Sequence, residues 1–343
     1  MVKPAVDTRE LITLDVGEVR LRGTYHRSYE DKSKSKAGQG TKNQIGVLFL
    51  NHGFLPRAAP GDSAVHWATS FANCGYPCFR FDLPGLGDSD GDVPEQMLDF
   101  VNAGGYAPTL SSVVKELVGR YSLSGVVIMG HCAGAVTALY TAAVSKECRG
   151  IVLTDPYFFL PRERTKIREE LSHWSSWSRV GSLISSLYYC LKHIRLLAFR
   201  NRPPRNANLP LLRCWTHLAS AGMPMLVMKA PALKARGIKP RMGEFDYLGY
   251  LDALSGRPSR VVVKFIEGTN HSFADAVGRR AIRHYTEEWL TTCFPPAGAA
   301  SHPGFESSRV LLRGTRSADS GTTRPQLLNC DTSGGTGKGG LNL

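Results

Sequence analysis

Gly125-Val-Val-Ile-Met-Gly-His-Cys-Ala-Gly-Ala135 decides the fold: an apolar run of strand length passes straight into Gly-x-Cys-x-Gly, and Ala133–Val144 continues with helical spacing. A strand, a sharp turn and a helix in that order push the central residue into strained backbone space. Side chains at Gly130 and Gly134 would clash with the neighbouring helix and strand, so both flanks must be glycine. Cys132 then projects above the sheet at a helix N-terminus, where free amides and the helix dipole favour thiolate over thiol. The competing reading is a small buried cysteine at a helix start, as free cysteines usually are.

Working outward, apolar strand-like runs alternate with helical patterns, which predicts a mostly parallel sheet covered on both faces. Leu11–Val16 and Val19–His26 read as an N-terminal hairpin; Ile45–Leu50, Cys78–Asp82, Val126–Met129, Ile151–Thr154, Met225–Met228 and Val261–Ile266 complete eight strands. Ser63–Asn73, Thr109–Tyr121, Ala133–Val144 and Arg279–Thr292 carry apolar residues three and four apart, as helices on a sheet do. Lys32–Asn43 reads as a solvated loop. Pro156–Pro224 is a long insertion with Trp174, Trp177, Leu187 and Ile194 among its apolar stripes, and it reads as a helical lid. The expected division is therefore a core over 1–155 and 225–294, a lid over 156–224, and a Gly/Ser/Thr-rich disordered tail over 295–343.

The chain has 343 residues and a formal net charge of +13. Eleven Arg/Lys against three Glu fall between Tyr157 and Met223, so most of the excess charge lies in the lid. Such a patch suits an anionic partner, either an acidic protein or a membrane surface. No nucleic-acid motif accompanies it, so nucleic acid is not expected. No stretch approaches the roughly 18 apolar residues of a transmembrane span, and the first ten residues lack a secretory apolar core; a cytoplasmic protein is expected. The eight cysteines show neither C-x-x-C pairs nor disulfide-scaffold density. Cys74 and Cys78 read as core thiols, and no metal or cofactor is expected, since no second His/Cys pair stands near them.

Three further stretches carry a resemblance. Asn51-His-Gly-Phe54 follows the third strand, Asp82-Leu-Pro-Gly-Leu-Gly-Asp-Ser89 follows the fourth, and Glu267-Gly-Thr-Asn-His-Ser-Phe273 follows the last. With the Gly-x-Cys-x-Gly turn, their order resembles the α/β-hydrolase superfamily over about residues 10–293. The sulfur nucleophile and the segment Phe79–Gly91 are similar to the exosortase-system-associated hydrolases. The resemblance implies an α/β-hydrolase fold with Cys132 as nucleophile and His271 as base. It also implies backbone amides of Phe54 (or Leu55) and Ala133 as an oxyanion hole. The carboxylates of the 82–89 loop are read as shaping the site without taking part in the chemistry.

The acid is open. The superfamily usually carries it after the seventh strand, yet Lys229–Arg241 contains no carboxylate. Asp246 is preferred, with Glu244 the alternative; Asp155 after the sixth strand is a third candidate, because some members place the acid there. The expected chemistry is acyl transfer through a Cys132 thioester, as a thioesterase, esterase or acyltransferase. An acidic acyl-carrier protein docking on the basic lid is the expected partner. Two rivals stand beside it: a non-catalytic ligand-binding protein of the same fold, and a lipase-like enzyme at an anionic membrane surface.

Overall fold

The structure is a computed structural model that describes residues 9–28, 44–51, 53–160, 203–230, 245–255 and 260–296. Eight strands form one sheet: β1 (Arg9–Val16), β2 (Val19–His26), β3 (Ile45–Phe49), β4 (Cys78–Phe81), β5 (Gly125–His131), β6 (Cys148–Thr154), β7 (Met225–Lys229) and β8 (Val261–Phe265), in the order β1-β2-β4-β3-β5-β6-β7-β8. β1 and β2 form the antiparallel hairpin, β2 pairs antiparallel with β4, and the rest are parallel. The central strands read as unbroken apolar runs because both of their faces are buried.

Alternation along those strands sorts the core into two layers. Leu48, Phe79, Ile128, Ile151 and Val227 face one side, with α2 (Met97–Asn102), α3 (Ala107–Arg120), α4 (Ala133–Val144), α5 (Leu209–Ser220) and α6 (Tyr247–Ser255). Val47, Cys78, Val127, Met129 and Val152 face the other, against α1 (Ser63–Asn73) and α7 (Ala276–Cys293). α4 is apolar around its circumference, so Ala133 to Ala142 lie buried and only its last turn reaches the surface.

The eight strands and the four expected helices all form. Among the described residues, two further helices have no counterpart in that reading, α2 and α6, and a third, α5, falls within the stretch read as a helical lid. α2 has six residues, too few for a legible period. α6 begins in the segment read as holding the acid. α5 lies inside the stretch assigned to the lid, yet Leu211, Leu212, Trp215, Leu218 and Ala219 are buried in the same layer as α4. Its N-cap Asn208 accepts from the Leu211 amide and donates to the Asn102 carbonyl, so this end of the insertion belongs to the core. The rest of the lid, 161–202, lies outside the described residues, as do Glu244, the loop 32–43 and the tail from 297. Cys78 is buried as expected, but Cys74 is exposed, because it caps the outer end of α1. No described helix is long and apolar enough to cross a membrane.

Candidate active site

Four neighbouring parallel strands, β5 to β8, end on the same edge of the sheet, and each delivers one polar residue at or just beyond its C-terminus: Cys132, Asp155, Lys229 and His271. The carboxyl ends of parallel strands are where such sheets hold their ligands.

Cys132 is the N-cap of α4 with φ 51 and ψ −113, a left-handed excursion that a side chain resists. Its flanks explain how the turn survives. A Cβ on Gly130 would sit 2.2 Å from the Gly134 carbonyl oxygen, and one on Gly134 would sit 2.4 Å from that of Asn51. The same helix start leaves the Ala133 amide without an intrahelical acceptor.

The loop after β3 lies against this turn. Gly53 takes φ 62, and a Cβ there would meet that of Ala133 at 4.0 Å. The loop is held from beneath by Asp82, which is fully buried. Its carboxylate accepts from the Arg57 amide at 2.7 Å, Asn51 Nδ2 at 3.2 Å and the Asp88 amide at 3.1 Å, and it pairs with the Arg57 guanidinium. Asn51 in turn accepts from the Leu83 amide and donates to the Leu55 carbonyl. The 82–89 stretch thus clamps the loop that carries Phe54.

His271 sits in the turn between β8 and α7. Asp275 caps α7 through the Gly278 amide and accepts from Thr269, which pins the loop on both sides of the imidazole; the Gly278 bond, then Thr269, holds the Asp275 carboxyl below its usual range. The partner of the imidazole is Asp155: His271 Nδ1 lies 2.5 Å from Asp155 Oδ2. That hydrogen bond, and next the Cys132 side chain, push the imidazole pKa up to about 10. The ring of His131 lies 5.0 Å from that of His271 between centroids, and its Nδ1 is 3.0 Å from the Thr154 hydroxyl.

Asp246, expected as the acid, is not the partner of the imidazole in the structure. Asp246 is exposed at the start of α6, where its carboxylate accepts from the Gly249 amide at 3.0 Å as a helix cap. Asp155 takes the place beside His271 because β6 lies directly next to β5 and its amide extends the ladder to the Met228 carbonyl at 2.7 Å. The sequence held one signal for it, an Asp between a strand and Pro156. Asp is among the few residues that tolerate a positive φ, here 47.

A cavity of about 250 Å³ opens over these groups, bounded by Cys132, Ala133, His271, His131 and Ser272 on one side. Phe54, Leu55, Met97, Leu98 and Val101 give it a largely apolar wall. The α2 residues of that wall were missed in the sequence, where Met97 and Val101, four apart, were the only sign of them.

The model of the Alpha/beta hydrolase family matches residues 47–311, more than half of the chain. Among solved structures, one of DcsB in complex with its substrate analogue is 15% identical with a TM-score of 0.51, covering 83% of this chain and 99% of that one. The esterase PF2001 of Pyrococcus furiosus is 14% identical with a TM-score of 0.51, over 83% of this chain and 91% of that one. The alpha/beta hydrolase GrgF from Penicillium sp. sh18 is 14% identical with a TM-score of 0.50, over 83% and 99%. At these identities the likeness is one of fold. No curated protein matches the chain.

Proposed function

The chain belongs to the alpha/beta hydrolase family, and on that ground we propose that it is an acyl-handling hydrolase that works through a Cys132 thioester, with His271 as acid and base and Asp155 as its orienting carboxylate. The observation that carries the reading is the strained thiol at φ 51 facing an imidazole whose far nitrogen is held by a carboxylate. A structural cysteine needs neither the strained turn nor the paired histidine.

With its pKa raised to about 10, His271 holds its proton at neutral pH. An imidazolium beside a sulfur at a helix N-terminus is the setting in which a cysteine attacks as its thiolate. The thiolate attacks the carbonyl carbon of an ester or thioester, and the carbonyl electron pair moves onto oxygen. The Phe54 and Ala133 amides receive that oxyanion, an arrangement worth a few kcal/mol in other acyl-transfer enzymes. The intermediate collapses, its leaving oxygen or sulfur takes the proton from His271 Nε2, and the acyl group stays on Cys132. Water, or another acceptor, then gives its proton to His271 and attacks the thioester, which restores the thiolate and the imidazolium.

The apolar wall formed by Phe54, Met97, Leu98 and Val101 suits an acyl chain. A thioester donor such as an acyl-carrier protein or coenzyme A suits the sulfur, because thiolate exchanges for thiolate at nearly equal energy. The test is intact-mass analysis after incubation with acyl esters and thioesters. An acyl adduct is expected on the wild type and absent in Cys132→Ala, and a wild type that acquires no adduct from any of them overturns the proposal.

A further inference from the structure

Neither the motifs nor the Cys132–His271–Asp155 geometry accounts for Lys229. It is the last residue of β7, the strand end at which the superfamily resemblance implies an acid. Its Nζ lies 3.4 Å from Asp155 Oδ1 and donates to the Pro156 carbonyl at 3.3 Å. The two oxygens of Asp155 are therefore divided, Oδ1 toward Lys229 and Oδ2 toward His271 Nδ1.

Burial makes this arrangement more than a surface ion pair. The Asp155 side chain is 14% exposed, so water offers little replacement for a lost partner. The last torsion of a carboxylate is soft, and an Asp held at one oxygen swings easily. Held at both, it keeps Oδ2 in line with the imidazole. The backbone needs the same support, because Asp155 sits at φ 47 with its amide bound to the Met228 carbonyl one residue before Lys229.

We infer that Lys229 is a positioning residue that acts through Asp155: by gripping Oδ1 and the Pro156 carbonyl it fixes the carboxylate that orients His271, and thereby governs how the reactivity of Cys132 depends on pH. This rests on the Cys132 acyl-transfer reading. The imidazole is faced by Asp155 from β6, Cys132 from the turn after β5 and the His131 ring from β5; Lys229 reaches it only across the carboxylate. Two opposed effects follow from removing the ammonium. Its repulsion of the imidazolium vanishes, which strengthens the pair, and the carboxylate loosens, which weakens it. The second prevails, because Asp155 Oδ2 touches His271 Nδ1 directly at 2.5 Å whereas Lys229 faces the imidazole only across the carboxylate.

The experiment needs no substrate. The rate of iodoacetamide alkylation at Cys132, read by peptide mass, is measured against pH for the full-length wild type, Lys229→Met, Lys229→Gln, Lys229→Arg, Asp155→Asn and the double variant Asp155→Asn/Lys229→Met, with thermal unfolding run on each. Lys229→Met and Lys229→Gln are expected to move the acidic limb up by about one pH unit, or about tenfold less thiolate at a fixed pH below it. Lys229→Arg restores the wild-type limb, and Lys229→Met adds nothing once Asp155 is Asn. Limbs that coincide with wild type in both neutral variants, or an equal shift in the Asp155→Asn background, overturn the assignment while leaving the acyl-transfer reading intact. A wild-type Cys132 that alkylates only in the ordinary thiol range sinks that reading itself.

Discussion

His271 Nδ1 lies 2.5 Å from Asp155 Oδ2 although 116 residues separate them in the chain. One residue comes from the turn after β8 and the other from the end of β6, and the parallel sheet alone makes them neighbours.

On the proposed mechanism Asp155 and Asp246 part company. Asp155→Asn is expected to lower kcat by about 10²-fold, at the lower end of general acid–base contributions because a thiol depends less on its base than a hydroxyl does. Asp246→Asn should leave kcat within about twofold and cost under about 1 kcal/mol, as Asn also caps helices. Steady-state kinetics with an acyl ester decide this, and equal losses in both variants would refute the placement of the acid.

The raised pKa of His271 has a sign for stability. Its folded value of about 10 exceeds the ordinary 6.5, so the stabilisation from this proton is complete below pH 6.5, declines above it, and is gone once pH passes about 10. The His271 side chain is 56% exposed, so the effect is small. Thermal unfolding of wild type and His271→Ala should show a gap at pH 6 that closes by pH 10.5. The activity of the wild type should fall over the same alkaline range, as the leaving group loses its acid.

Gly134→Ala places a methyl 2.4 Å from the Asn51 carbonyl oxygen, a backbone atom that cannot swing aside. A loss of about 1–3 kcal/mol is expected from overpacking, together with loss of activity, since the clash falls between the Cys132 turn and the loop bearing Phe54. Chemical denaturation measures the first and acyl-adduct formation the second.

Arg57→Ala removes the guanidinium that pairs with the buried Asp82 carboxylate. Breaking such a pair costs about 3–5 kcal/mol, and the Asn51–Leu55 loop loses its clamp. Chemical denaturation measures this. An unfolding free energy within error of wild type would mean that the loop is set by other contacts.

Val101 and Met97 bound the cavity of about 250 Å³. Val101→Phe should shift preference toward shorter acyl chains through KM with kcat for a short ester little changed, and a chain-length series of esters provides the measurement.

Much of the fold was legible because period and glycine punctuation are local. The β1–β2 hairpin, the alternation of strands and helices and the Gly-x-Cys-x-Gly turn can each be read within a dozen residues. The sequence does not tell α5 from a lid helix, because its amphipathic stripe is the same whether it packs on α4 or covers a cleft. The choice among Asp246, Glu244 and Asp155 is not legible for a related reason, since a carboxylate at a helix start and one at a strand end look alike in sequence.

The strained turn at Cys132 and the place of His271 after the last strand are therefore legible in the sequence itself, through the glycines that such a turn requires and the order of strands and helices. Which carboxylate meets that histidine, and that Lys229 holds its other oxygen, was decided by strand order alone. β6 lies between β5 and β7, and hydrogen-bonded ladders bring together side chains whose separation along the chain carries no information about their distance in space.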